Sequence, residues 1–109
     1  MRAAIYPGNG GPVTIETLAD PRPGPGEVLI RVSRCGICGT DLAMTRGGAW
    51  DYGSGVQFGH EYAGEIVELG REVSALRVGD RIAVMPSLAC GRCTSCRAHG
   101  NAVLCEDKQ

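Results

Sequence analysis

A mainly β domain is what this sequence predicts, and two observations carry the expectation. Gly occurs 17 times and Pro 6 times, with neither a collagen period nor low-complexity repetition, a usage that calls for many tight turns. Between those turns lie short runs in which apolar and polar residues alternate, the period of a half-buried strand. At 109 residues the chain is the size of one domain, large enough to bury well over half of its unfolded surface. It is short for an enzyme, and it shows no second domain and no internal repeat.

Arg2 to Tyr6 reads as a first strand, cut off by Pro7-Gly8-Asn9-Gly10-Gly11, and Val13 to Leu18 as its hairpin partner. The stretch from Asp20 to Gly26 holds Pro21, Pro23 and Pro25. It is a loop, because each Pro lacks an N–H and constrains the residue before it. Val28, Ile30 and Val32 then alternate with Leu29, Arg31 and Ser33 in a strand that delivers the chain to Cys35. Thr40 and Asp41 are candidate caps of a short helical turn through Arg46, stopped by Gly47-Gly48. The segment to Val56 reads as a loop whose Trp50 and Tyr52 are candidates for a pocket wall. Tyr62 to Leu69 is a strand ending at Gly70, and Arg81 to Met85 another, introduced by Val78-Gly79-Asp80. From Cys90 onward no regular element is expected.

Charge and hydropathy exclude several functions. With 11 basic and 12 acidic residues interspersed, the formal net charge is -1, which leaves no electrostatic footprint for nucleic acid or an anionic membrane. No apolar run approaches the roughly 20 residues of a membrane helix.

Four cysteines, Cys90, Cys93, Cys96 and Cys105, form a C-x2-C-x2-C-x8-C array. One tetrahedral zinc explains it best, since two-residue gaps let a tight turn aim neighbouring sulfurs at one point while the fourth closes the loop. Disulfides are the alternative. The N-terminal MRAAIYPGNGG has no apolar core of a secretory signal, so reduced thiols and a cytoplasmic location are expected. An iron-sulfur cluster fits less well, because the last gap is longer than the ferredoxin run and no Pro follows Cys105. A lobe with so few apolar residues is expected to be held by its metal.

A second constellation lies upstream. Cys35-Gly36-Ile37-Cys38-Gly39-Thr40-Asp41 and Gly59-His60-Glu61 bring together thiols, an imidazole, a hydroxyl and carboxylates. Each is weak alone, since a lone His or a Cys-x2-Cys pair is often structural. The surrounding pattern is what counts: Gly59-His60-Glu61-Tyr62-Ala63-Gly64, then five residues to Gly70, then Val73. With Val78-Gly79-Asp80-Arg81 and the four-cysteine lobe, in this order, the chain resembles the N-terminal, GroES-like catalytic domain of the zinc-dependent medium-chain alcohol, polyol and threonine dehydrogenases.

That resemblance implies an irregular GroES-like β-barrel over 1–109 with a structural zinc lobe at 90–105. Cys38 and His60 would be ligands of a catalytic zinc, and Thr40 the hydroxyl that relays the substrate proton. Asp41 resembles the carboxylate that orients the ligand histidine, and Glu61 one that becomes a ligand in some members, unless it is an ordinary ion-pair partner. A thiolate and an imidazole around zinc leave a position open for an alcohol to bind and lose its proton. Cys35, the spare cysteine, is expected in buried packing.

The chain also departs from the family's pattern. It contains no Gly-rich turn of a Rossmann coenzyme domain, so NAD or NADP is expected only in a complete enzyme, and the third protein ligand of the catalytic zinc is missing. The sequence therefore reads as part of a longer enzyme acting on a small-molecule alcohol, with self-association open. The alternative is a stand-alone, non-catalytic zinc module. Ala43 stands where many relatives carry a relay His, and the gap of eight after Cys96 makes a bulge expected over Arg97-Ala98-His99-Gly100. His99 is then an alternative ligand, although four cysteines already close the site.

Overall fold

The computed structural model describes residues 1–48, 51, 53–99 and 102–107. Trp50, Tyr52 and Gly100 lie outside them. The chain runs β1 (Arg2–Tyr6), β2 (Thr14–Thr17), β3 (Val28–Cys35), α1 (Gly39–Met44), β4 (Val56–Gln57), β5 (Tyr62–Leu69), β6 (Arg81–Ala83), α2 (Thr94–His99) and a 3-10 turn at Ala102–Leu104. The mainly β expectation holds, and the hairpin of β1 and β2 forms where the alternating runs placed it. Among the described residues no helix is long and apolar enough to cross a membrane.

Strands pair antiparallel in two three-stranded sheets, ordered β2-β1-β4 and β3-β5-β6. In the first, Tyr6 and Ile5 are the buried residues of β1, with Tyr6 fully enclosed. A phenol can be buried only if its hydroxyl finds partners. Here it donates to Asp51 Oδ2 at 2.6 Å and accepts the Gly10 N–H at 2.7 Å. Burial pushes the Tyr6 pKa up, and the hydrogen bond from Tyr6 holds the Asp51 carboxyl below the usual range. A carboxylate favoured in the fold stabilises it above its ordinary pKa, and that support fades as pH falls through the lowered value.

In the second sheet, Ile66 of β5 is fully buried. β3 follows β5 from Val28↔Leu69 to Cys35↔Tyr62, with register irregularities at Leu29/Ile30 and Val32/Arg34 that bend the strand. Gly70 ends β5 because nothing larger fits. Its N–H donates to the Glu27 carbonyl at 2.8 Å, and a Cβ there would overlap the Gly24 carbonyl oxygen. The Pro-rich loop is thereby clasped to the sheet.

Four details differ from the sequence reading. β4 forms inside the segment read as a loop; it is two residues long, too short to show alternation, and exists because β1 offers it a ladder at Ile5↔Gln57 and Tyr6↔Val56. β6 stops at Ala83, two residues short of Met85, although the Val84 N–H still reaches the Tyr62 carbonyl at 3.0 Å. The cap of α1 is Cys38, not Thr40 or Asp41. The cysteine lobe is not wholly irregular, since α2 occupies Thr94–His99; the bulge expected over Arg97-Ala98-His99-Gly100 reaches beyond the described residues.

Candidate metal centre

Cys38 sits in extended backbone as the N-cap of α1, φ -108° and ψ 179°, and its sulfur accepts the Thr40 N–H at 3.3 Å. Three residues on, Asp41 Oδ2 accepts the Cys38 N–H at 2.8 Å. The pair is a reciprocal capping box in which a thiol replaces the usual hydroxyl. Two orphan N–H groups of the first turn are thus satisfied by residues that also carry chemistry.

His60 arrives from the other side, just before β5. Gly59 makes the approach possible with φ +106°, and a Cβ there would stand 2.6 Å from Cys35 Sγ. His60 Nδ1 lies 3.2 Å from Asp41 Oδ1, and Nε2 lies 3.4 Å from Cys38 Sγ. Asp41 is fully buried and uses both oxygens, one on each partner. A carboxylate on Nδ1 fixes the proton there and turns the Nε2 lone pair towards the sulfur.

These distances fit a zinc ion. Tetrahedral bonds of about 2.0 Å to nitrogen and about 2.3 Å to sulfur separate the two donors by about 3.5 Å. The ligand atoms of Cys38, Asp41 and His60 all lie within 4.8 Å of one another. Glu61 does not join them: it is exposed, its carboxylate lies against Gly36, and its carbonyl accepts the Gly36 N–H at 2.7 Å. Thr40 is exposed on the first turn of α1, and Ala43 is exposed one turn along.

Cys35 corrects an expectation. It is exposed rather than buried, on the wall of a groove shared with Phe58, Gly59 and Tyr62. The reason is local: its sulfur rests on the bare backbone of Gly59 on one side and opens to the groove on the other.

In the lobe, Cys90, Cys93, Cys96 and Cys105 bring four sulfurs within 4.8 Å of one another, all as free thiols. Cys90 and Cys96 sulfurs are 4.0 Å apart, against about 3.8 Å for two sulfurs on one tetrahedral zinc. Backbone N–H groups point at them: Cys93 to Cys90, Cys96 to Cys93, Cys90 to Cys105 and Asp107 to Cys105, at 3.3 to 3.4 Å. Such donors favour thiolates. The Cys93 thiol is pulled down to about 6, chiefly by the backbone N–H of Glu106 and then that of Cys96. Cys96, hydrogen-bonded to Cys93 and desolvated, is pushed up to about 12. Four crowded sulfurs cannot all ionise without a cation among them, and a divalent metal is one that the cluster could hold.

The sequence reading named the sulfurs and the imidazole that the structure brings together but missed the backbone donors that point at the lobe sulfurs. It also missed the hold of Asp41 on the Cys38 N–H, which the Cys38-x2-Asp41 spacing encodes once cysteine is admitted as a cap.

Comparison with known proteins agrees with this geometry. Residues 24–109 match the family model of the alcohol dehydrogenase GroES-like domain. The chain is 43% identical to an alcohol dehydrogenase of Rhizobium meliloti (strain 1021), over 100% of its own length and 32% of the relative's. It is 45% identical to a sorbitol dehydrogenase of Bacillus subtilis (strain 168), over 100% of this chain and 31% of that one. The solved structure of a zinc-dependent alcohol dehydrogenase 2 from Streptococcus pneumonia superposes with a TM-score of 0.80 at 32% identity, covering 98% of this chain and 30% of that one. The chain thus spans about a third of the length of the curated relatives it matches. With its His-Glu motif, capped cysteine and four-thiol lobe, this chain belongs to the alcohol dehydrogenase GroES-like domain family.

Proposed function

We propose that this chain is the zinc-carrying part of the catalytic domain of an NAD- or NADP-dependent alcohol or polyol dehydrogenase. The observation that supports it most is the approach of Cys38 Sγ to His60 Nε2, 3.4 Å, with the far side of the imidazole tied to a buried carboxylate. In this reading Cys38 and His60 hold the catalytic zinc, and Cys90, Cys93, Cys96 and Cys105 the structural one. Zinc bound at the first site supplies Lewis acidity towards a substrate oxygen.

The side chains do the rest. Asp41 keeps the Nδ1 proton on His60, so that Nε2 is free to ligate. The Thr40 N–H donates to the Cys38 sulfur at 3.3 Å and holds it in place at the site. The Thr40 hydroxyl, two residues from Cys38, takes the proton that the alcohol gives up and hands it to water. Ala43 offers no titratable side chain to continue a relay, and Thr40 is itself exposed to solvent. Glu61, one residue from His60, lies against Gly36 and would have to leave it to become a ligand. A nicotinamide held by a coenzyme domain outside these 109 residues would supply the hydride acceptor. The substrate is a small alcohol, the setting the reducing cytoplasm, and nucleic acid and membrane play no part; self-association of such domains fits their open strand edges.

Calorimetry tests the reading. The isolated chain is expected to bind neither NAD nor NADP and to reduce neither in the presence of an alcohol, while metal analysis finds zinc on it. Micromolar binding of either coenzyme, or sustained reduction, would overturn it.

A further inference from the structure

His60 stands where the chain passes from one sheet to the other. Two residues before it, the Phe58 N–H still donates to the Ala4 carbonyl of β1 at 2.8 Å. Just after it, the Glu61 carbonyl accepts the Gly36 N–H at 2.7 Å, and Tyr62 faces Cys35 in the β3 to β5 ladder. Gly59 is the joint between these two anchored stretches, turned to φ +106°. The Cys35 sulfur lies against that joint: apart from the residues next to Gly59 in the chain, it is the one atom that a Cβ at Gly59 would meet within 4 Å, at 2.6 Å. The thiol also points to the Gly36 carbonyl at 3.5 Å. The dipeptide Cys35-Gly36 therefore touches the residues on both sides of His60, and Cys38 follows two residues later. Asp41 meets the imidazole ring, whereas these contacts hold the backbone that carries it.

We propose that Cys35 is a positioning residue of the Cys38 and His60 metal centre, acting on His60 through Gly59. The inference rests on the reading of Cys38 and His60 as metal ligands. The sulfur fills the place where a β-carbon of residue 59 would stand, so the bare backbone of Gly59 seats directly on it. That seat fixes how the joint turns and hence the direction from which the imidazole reaches Cys38. It also gives the spare thiol a use that needs neither metal binding nor burial in a core.

The test uses the chain with zinc kept in the lobe and the weaker site stripped by a mild chelator, then titrated with Co2+ while thiolate-to-cobalt absorption is followed. Gly59→Ala drives a methyl into the sulfur and is expected to weaken cobalt binding at least about tenfold, with lobe zinc unchanged. Adding Cys35→Ala should recover about fivefold of that loss. The strain of an alanine at φ +106° is common to both chains, and only the collision is relieved. Cys35→Ala alone leaves Gly59 unseated and should cost about threefold, while Cys35→Ser keeps an atom in the sulfur's place and should stay within about twofold. Cys35 is exposed, so this pair reports even if Gly59→Ala misfolds. Equal weakening in Gly59→Ala with and without Cys35→Ala would assign the loss to backbone strain and overturn the proposal. Equal affinity in Cys35→Ala and the parent, or parallel loss of lobe zinc, would overturn it too. No thiolate-to-cobalt band in the parent chain would overturn the metal-site reading, and this inference with it.

Discussion

A Cys93→Ser chain is expected to lose its tightly held zinc and the structure of residues 90–105 with it. Cys93 is the sulfur most favoured as thiolate, drawn down to about 6 by the N–H groups of Glu106 and Cys96, and it sits between Cys90 and Cys96 in the donor chain of N–H to sulfur contacts. Serine keeps a hydroxyl but is a poor zinc ligand, and three thiolates with no fourth leave an open site. Among the described residues of the lobe Cys105 is the buried one, while Val103 and Leu104 are both exposed. In small zinc domains the metal contributes on the order of 10 kcal/mol to folding, far more than this lobe's apolar burial. Metal analysis after a mild chelator, with limited proteolysis across the lobe, should show zinc lost and new cleavage, while β1 to β6 stay protected. Full zinc retention with no added cleavage would show that the lobe does not depend on its metal.

The second large effect falls on Asp41. Asp41→Ala is expected to weaken metal binding at Cys38 and His60 by about 10- to 100-fold, the usual cost of removing a carboxylate that orients a ligating histidine. The substitution also takes the acceptor from the Cys38 N–H, so the N-cap of α1 loosens together with the imidazole. Asp41→Asn retains an oxygen for one of the two contacts and should fall between. Cobalt titration of the three chains orders them, with lobe zinc as internal control. Equal affinity in all three would place the selection of the His60 tautomer elsewhere.

The elements with strong local signals were legible in the sequence. β5, from Tyr62 to Leu69, and β1, from Arg2 to Tyr6, match their expected ends, because alternation and the Gly or Pro after them fix both. β4 was not, since two residues carry no period and its existence depends on β1. α2 escaped notice for a related reason. Thr94–His99 has no apolar face to announce it, and its short helix is set by the cysteines that the lobe gathers. At the site, the gathering of Cys38 and His60 followed from a recognised order of motifs; no local rule links residues so far apart. The role of Cys38 as a cap was hidden by treating the thiol only as a ligand. Cys35 was misplaced because burial is the common fate of a spare cysteine, and nothing in the sequence reveals that Gly59 leaves its sulfur facing a groove.

The central claim is that two zinc sites of unequal strength share this chain. The lobe offers four thiolates, whereas the other site offers Cys38 and His60 among the described residues and a carboxylate already engaged with both. Fewer ligands bind more weakly. The direct measurement is a chelator titration of the zinc-loaded chain and of its His60→Ala variant, with metal content followed at each step. The account predicts two classes of zinc in the parent chain, the weaker stripped first, and only the stronger class in the variant. A single class, the same with and without His60, would contradict it.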